Sequence, residues 1–147
     1  MNCTFFGHRD TPPEVKPLLR EVLLDLIEQQ GVKKFYVGNQ GKFDAMAHSL
    51  LSDFEHSHGI QYDVVLAYLP KNTDPFFETY YTILPEGIET VPPRFAIDYR
   101  NQWMLDHSDI VITYVTRSFG GAAKFKEAAQ KKMKTVIEIS NYYSSAL

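Results

Sequence analysis

The sequence holds a single cysteine, Cys3, among 147 residues. A lone thiol closes no internal disulfide, so the core must hold the fold, and a reducing, cytoplasmic setting is expected. Cys3 itself reads as a small core residue at the start of a strand. Long apolar runs are also lacking: none approaches the roughly 18 residues needed to span a bilayer. No charged start followed by a long apolar stretch marks a secretory leader. Positive charge is not in excess. Fifteen Lys and Arg stand against 18 Asp and Glu, a net charge of −3, which gives no general attraction to nucleic-acid phosphate or to an anionic membrane. His56 and His58 lie near a helix end without facing the same way, and no carboxylate–histidine motif surrounds them or His48. No metal and no cofactor is expected. No Ser-His-Asp or Cys-His arrangement, internal repeat or low-complexity stretch is found.

What is present is the composition of a soluble globular protein, 44% hydrophobic and 22% charged. The length suits one domain over residues 1–147. Cys3 to Phe6 reads as a first strand, closed by Gly7. Val15, Leu18, Leu19, Val22, Leu23, Leu26 and Ile27 recur at helical steps, predicting a helix from Glu14 to Gln30 with Pro17 in its first turn and Gly31 as its stop. Lys33 to Val37 is a second strand, closed by Gly38, and Phe43 to His56 a second helix. Tyr62 to Leu69 has the continuous apolar middle of a strand covered on both faces. Residues 70–93 break the pattern, with Pro70, Pro75, Pro85, Pro92 and Pro93 among aromatic residues. They read as a long loop with a helical turn near Phe76 to Tyr81. A helix from Arg94 to His107, a strand from Asp109 to Val115, a helix from Ala122 to Lys132 and a strand from Lys134 to Ile139 complete the series. The tail from Asn141 reads as frayed.

Strict alternation of strand and helix predicts an α/β fold: a three-layer Rossmann-like domain with a mostly parallel five-stranded sheet and helices on both faces. Ligands of such sheets bind outside the carboxyl ends of the strands, where strand order reverses. That rule selects three turns. In the first, Gly7 admits close backbone approach, Arg9 can fork onto a phosphate and His8 can donate a hydrogen bond; the same residues also fit a tight turn facing water. In the second, Gly38, Asn39 and Gly41 precede a helix start, which favours anions. There Asp44 either contacts the ligand or caps its helix, and Phe43 packs beneath the loop. In the third, Ser118, Gly120 and Gly121 open another helix, either around an anion or simply as its cap. In the helix from Arg94 to His107, Arg100 can reach the sheet edge, while Trp103 and Met104 read as core. Lys124, Lys126, Lys131, Lys132 and Lys134 read as a solvated helix face rather than a nucleic-acid surface.

The turn Gly7-His8-Arg9, the segment Gly38-Asn39-Gln40-Gly41-Lys42-Phe43-Asp44, and Arg100…Asp106-His107-Ser108-Asp109 followed by Gly120-Gly121 resemble the SLOG superfamily. This group joins the DNA-processing protein DprA with the LOG nucleotide hydrolases, and its compact bacterial YpsA-like branch is most similar. The resemblance runs from about Cys3 to Ile139. It implies a Rossmann-like fold that binds a nucleotide or nucleotide-derived small molecule, in a sensor or regulatory role. In the LOG branch a helical arginine and the glutamate ending Pro-Gly-Gly-x-Gly-Thr-x-x-Glu cleave nucleoside monophosphates at the N-glycosidic bond; Arg100 and Glu127 match those positions. The motif's proline is missing here, and Ala123-Lys124 stands where Gly-Thr is expected, so binding is better supported than catalysis. Single-stranded DNA binding of the DprA kind is disfavoured by the acidic balance. Exposed aromatic residues of the middle loop and tail suggest a homodimer.

Overall fold

The computed structural model describes residues 1–69 and 81–145. Its centre is β1 (Asn2–Gly7), an apolar hexapeptide whose four inner residues are all buried. Such a strand is stable only with both faces covered. On one side β1 pairs with β2 (Lys34–Val37), which pairs with β3 (Gln61–Val65). On its other side it pairs with β5 (Ile110–Tyr114), which pairs with β6 (Thr135–Glu138). A two-residue strand, β4 (Thr82–Ile83), completes the order β4-β3-β2-β1-β5-β6, and every pairing is parallel.

Two apolar layers flank this sheet. On one face, α1 (Val15–Glu28) and α2 (Gly41–His58) bury Leu19, Leu23, Leu26, Phe43, Leu51 and Phe54 against Cys3, Phe5, Phe35 and Val37. Ile139, from α5 (Ile139–Ser145), joins the same layer. On the other face, α3 (Ala96–Asp106) and α4 (Gly121–Lys131) bring Met104, Leu105, Phe125 and Ala129 against Phe6, Val65 and Val111. Adjacent residues of β1 thus serve opposite layers, as the pleat requires. Val15 opens α1, Pro17 lies in its first turn, and Gly31 follows it with φ +70°. Gly59, also left-handed, ends α2.

Two expectations need correction. The sheet has six strands, not five. The additional strand lies inside the expected long loop and is fixed by two backbone bonds, Val64 N–H to Tyr81 O at 2.9 Å and Leu66 N–H to Ile83 O at 2.8 Å. The same stretch holds a 3-10 turn at Ile88–Thr90, and a second one, Pro93–Phe95, leads into α3. The tail also forms a helix through Ser145, because its first residue, Ile139, is fully buried and Ser140 N–H binds the Glu138 carboxylate at 3.1 Å. The expected helical turn near residues 76–81 lies, apart from Tyr81, outside the described residues. Among the described residues no helix is long and apolar enough to cross a membrane.

Cys3 is fully buried, and burial pushes its thiol pKa far above the ordinary value. Since the thiolate is the reactive form, iodoacetamide is expected to label Cys3 only as fast as the protein unfolds. Labelling of the native protein at the rate of a free thiol, read by mass spectrometry, would contradict this packing.

Candidate functional site

The strands fan out in opposite directions from β1, so strand order reverses between β1 and β5. A crevice opens there at the carboxyl ends of the strands. It is a cavity of about 570 Å³. Its lining comes from the β1–α1 loop (Gly7, His8, Arg9, Asp10), the start of α2 (Gln40, Lys42, Asp44), α3 (Ile97, Asp98, Arg100, Asn101) and the β5–α4 loop with the start of α4 (Arg117, Gly120, Gly121, Ala122). Phe5 and Phe6 of β1 form its apolar floor.

Close backbone approach makes this convergence possible. A Cβ on Gly7 would fall 2.2 Å from the Phe43 ring, so only glycine lets the end of β1 rest on α2. Gly41, at φ +89°, brings its Cα within a Cβ's reach of the Arg9 backbone. Lys42 N–H then bonds the Arg9 carbonyl at 2.9 Å. Gly120 has φ +96° and opens α4 without a side-chain cap, and a Cβ on Gly121 would meet nothing within 4 Å. The first turns of α2 and α4 therefore direct amide hydrogens and the positive ends of two helices at one space.

Arg100 lies deepest. Only 2% exposed, it is among the largest buried side chains of the protein. Its Nη1 donates to the Val65 carbonyl at 3.0 Å and to Asn39 Oδ1 at 3.3 Å, and its Nε donates to Asn101 Oδ1 at 2.8 Å. All three partners are neutral. No carboxylate among the described residues comes within ion-pairing distance. Burial lowers its pKa from the ordinary value, and Asp44 opposes that shift. Asp44 faces the same space and accepts the Gln40 N–H at 2.9 Å. It both caps α2 and lines the cavity, so the two readings of this residue are compatible. Burial raises its carboxyl to about 6, against the pull of Arg100, the Gln40 amide and Arg9. Gly38 makes the pair possible, since a Cβ there would lie 2.7 Å from the Asp44 carboxylate and 2.8 Å from the Arg100 guanidinium.

The other lining carboxylates are already matched. Asp10 takes two bonds from Arg117, at 2.8 and 3.2 Å, and Asp98 takes Lys124 at 2.7 Å. Arg9 donates only a long bond, 3.4 Å, to Gln40, and Lys42 is exposed at the mouth. Against the one remaining carboxylate, Asp44, stand Arg9, Lys42 and Arg100, so the cavity carries positive charge in an acidic protein. Behind the third loop, Glu138 accepts from Thr113 Oγ1 at 2.8 Å, from Val115 N–H at 3.1 Å and from Lys126 at 2.8 Å. Burial works to raise its pKa, but Lys126 and the Val115 and Ser140 amides outweigh that and hold it below the usual value.

Of the residues singled out from sequence, Gly7, His8, Arg9, Asp44, Arg100, Gly120 and Gly121 line the cavity. Gly38, Asn39, Gly41 and Phe43 shape it from behind. Ser118 is exposed in the third loop and is not part of the lining. Glu127 does not reach the cavity either. It lies on the exposed side of α4 and pairs with Lys131 at 3.1 Å. Gln40 and Lys42 lie within the second glycine segment, whereas Asp10, Asp98 and Arg117 depend on partners across loops that no spacing reveals. Lys124, Lys126, Lys131 and Lys132 all form ion pairs with acidic side chains, consistent with a solvated face. Among the described residues no group of three His, Cys, Asp or Glu side chains is placed to hold a metal ion.

Among solved structures, this arrangement of sheet and helices matches that of DNA processing protein A (DprA) from Streptococcus pneumoniae. The TM-score is 0.68 over 92% of this chain, at 16% sequence identity. The chain shares the fold of the matched part of DprA. It spans about half of that neighbour, 48% of the DprA chain. No protein-family model and no curated protein matches the sequence. At this identity the likeness to DprA shows the fold alone, and the chemistry of the cavity rests on this chain's own residues.

Two substitutions test the cavity geometry. Gly38→Ala forces apart Asp44 and Arg100 and is expected to cost roughly 1–3 kcal/mol, read as a lower urea midpoint. Gly121→Ala, with open space around it, is expected to be neutral or slightly stabilising. Equal effects of the two would refute the crowding at Gly38. Asp44 supplies a pH test. Its pKa is raised on folding to about 6, so its contribution to stability is complete below its unfolded value near 3.8 and is lost as pH rises through about 6. The stability of Asp44→Asn relative to wild type should therefore improve from pH 4 to pH 7, measured by thermal melts at each pH. A difference independent of pH would show that Asp44 titrates normally.

Proposed function

We propose that the cavity binds a nucleotide or nucleotide-derived small molecule. Its anionic group would lie over the first turns of α2 and α4, between Arg9, Lys42 and Arg100. Gly7, Gly38, Asn39, Gly41, Gly120 and Gly121 would keep the backbone close to that group, and Asp44 would accept from sugar hydroxyls. Phe6 and Ile97 offer an apolar wall for sugar or base. The observation that carries this reading is Arg100: a buried guanidinium, held by neutral acceptors only, at the bottom of a cavity that the starts of α2 and α4 both line. Burying an unpaired cation is costly, and an arriving anion offsets that cost.

A binding and regulatory role is favoured over hydrolysis. Glycosidic cleavage of the LOG type needs its carboxylate in the cavity, and Glu127 is turned to solvent. The turn Gly7-His8-Arg9, the segment from Gly38 to Asp44 and the stretch from Arg100 to Asp109 followed by Gly120-Gly121 support placement in the YpsA-like branch of the SLOG superfamily. DprA is a DNA processing protein by its description, and single-stranded DNA is therefore the competing ligand to exclude.

Calorimetric titration with AMP, adenosine and a short single-stranded DNA tests the proposal. AMP should bind at least about tenfold more tightly than adenosine, because charge-assisted bonds to the phosphate contribute on the order of 1.5–3 kcal/mol. Arg100→Lys should weaken AMP by about 10- to 100-fold, since a point charge cannot replace the fork. Arg9→Ala and Lys42→Ala, both at exposed positions, should weaken it less. AMP should be recovered intact, without free base. Equal affinity for AMP and adenosine would defeat the reading, and preferential, salt-sensitive binding of the DNA would favour the DprA-like alternative.

A further inference from the structure

His8 joins the first and third loops of the cavity and is only 5% exposed. Its backbone N–H bonds the Tyr114 carbonyl at 3.4 Å, and its own carbonyl accepts the Thr11 N–H at 3.2 Å and the Thr11 hydroxyl. The ring stands edge-on to Tyr114, with centroids 6.2 Å apart. Its Nε2 accepts the backbone N–H of Thr116 at 2.9 Å, across 108 positions of sequence. Thr116 begins the stretch that carries Arg117 into the cavity and ends at Gly120. An imidazole nitrogen accepts only when the ring is neutral and its proton sits on the other nitrogen.

We propose that His8 is a positioning residue for this cavity. Its neutral, Nδ1-protonated ring holds residues 116–120 against the β1–α1 loop, and protonation of the ring releases them and weakens anion binding. The second half rests on the ligand reading given above; the first half does not.

The charged and titratable groups facing the ring are Asp10 on its own loop, Arg117 on the third loop, Glu138 at the end of β6, and Tyr114 of β5. Burial and then Arg117 lower the His8 pKa from its ordinary value of 6.5, while Asp10 and Glu138 act in the opposite direction. Asp10 is held by Arg117, and Glu138 by Lys126 and backbone amides, and their pull on the ring is outweighed by burial and Arg117. The pKa is lowered on folding, so the bond to Thr116 is complete above 6.5 and is lost as pH falls through the folded value. This runs against simple electrostatics. An imidazolium that merely added positive charge to the cavity would tighten anion binding in acid, whereas release of the third loop loosens it.

The test uses the full chain, isotopically labelled, in wild-type and His8→Gln forms. Glutamine Oε1 reaches the same donor and does not titrate in this range. Ring nitrogen shifts should report the Nδ1-protonated tautomer of His8. The exchange protection of the Thr116 amide should fall about tenfold in wild type as pH is lowered from 7.5 through the titration of the His8 ring, the loss expected for one hydrogen bond, and stay constant in His8→Gln. AMP affinity, taken as the ratio of wild type to His8→Gln so that the titration of AMP itself cancels, should fall about tenfold over the same interval. A ring protonated on Nε2 in the folded protein overturns the proposal, as does Thr116 protection that stays flat while His8 titrates. Wild type alone yields both of those readouts if His8→Gln fails to fold. An affinity ratio that rises in acid overturns the coupling to the ligand. Failure of AMP to bind either protein at any pH overturns the nucleotide reading instead, and the amide data still decide the role of His8.

Discussion

A guanidinium taken out of water must be surrounded by acceptors, and much of this cavity is arranged around that requirement for Arg100. Its acceptors come from three separate elements: the end of β3 through Val65, the β2–α2 loop through Asn39, and its own helix through Asn101. Satisfying them fixes the height of α3 above the sheet and the path of the chain after β2. It also leaves no room for a side chain at position 38, which is glycine. Asp44 sits close enough to feel the positive charge without forming a direct ion pair, and burial raises its carboxyl to about 6 in spite of that attraction. A full pair there would cancel the charge that the cavity offers to an anion.

The remaining loops are bound to one another rather than left to solvent. Lys42 N–H reaches Arg9, Arg117 reaches Asp10, and Thr116 reaches His8. The last two of these bonds cross the reversal point between β1 and β5, beyond the end of the backbone ladder that joins those strands. Edge strand β6 takes part at a distance. Its last residue, Glu138, accepts the Val115 amide and so sets the direction in which the chain leaves β5. Preorganisation of this kind lowers the ordering cost of binding.

The layered fold was legible in the sequence because its signals are periodic. Apolar strands closed by glycine, alternating with helices that carry one apolar stripe, leave few arrangements once crossovers are right-handed. The three glycine turns were legible for the same reason, since the topology gathers every strand end at one rim. Four features were hidden. Strand β4 is two residues long and lies among prolines and aromatics, with no alternation to read. The terminal helix lacks a polar–apolar repeat and depends on burial of Ile139. Glu127 follows Gly121 by six positions, about 9 Å along a helix axis, so a match by motif spacing carries it away from the helix start where the cavity lies. The ion pair between Asp10 and Arg117 joins residues 107 apart and has no local signature.

The shortness of β4 has a consequence for how the molecule behaves in a crowded solution. A parallel sheet ends in rows of unpaired amide and carbonyl groups, which can recruit a strand from another chain. At this margin the row is only two residues long, and Pro85 follows at once in the sequence. A foreign strand would find too few rungs to extend the ladder. Pro85, which has no amide hydrogen, adds no rung beyond them.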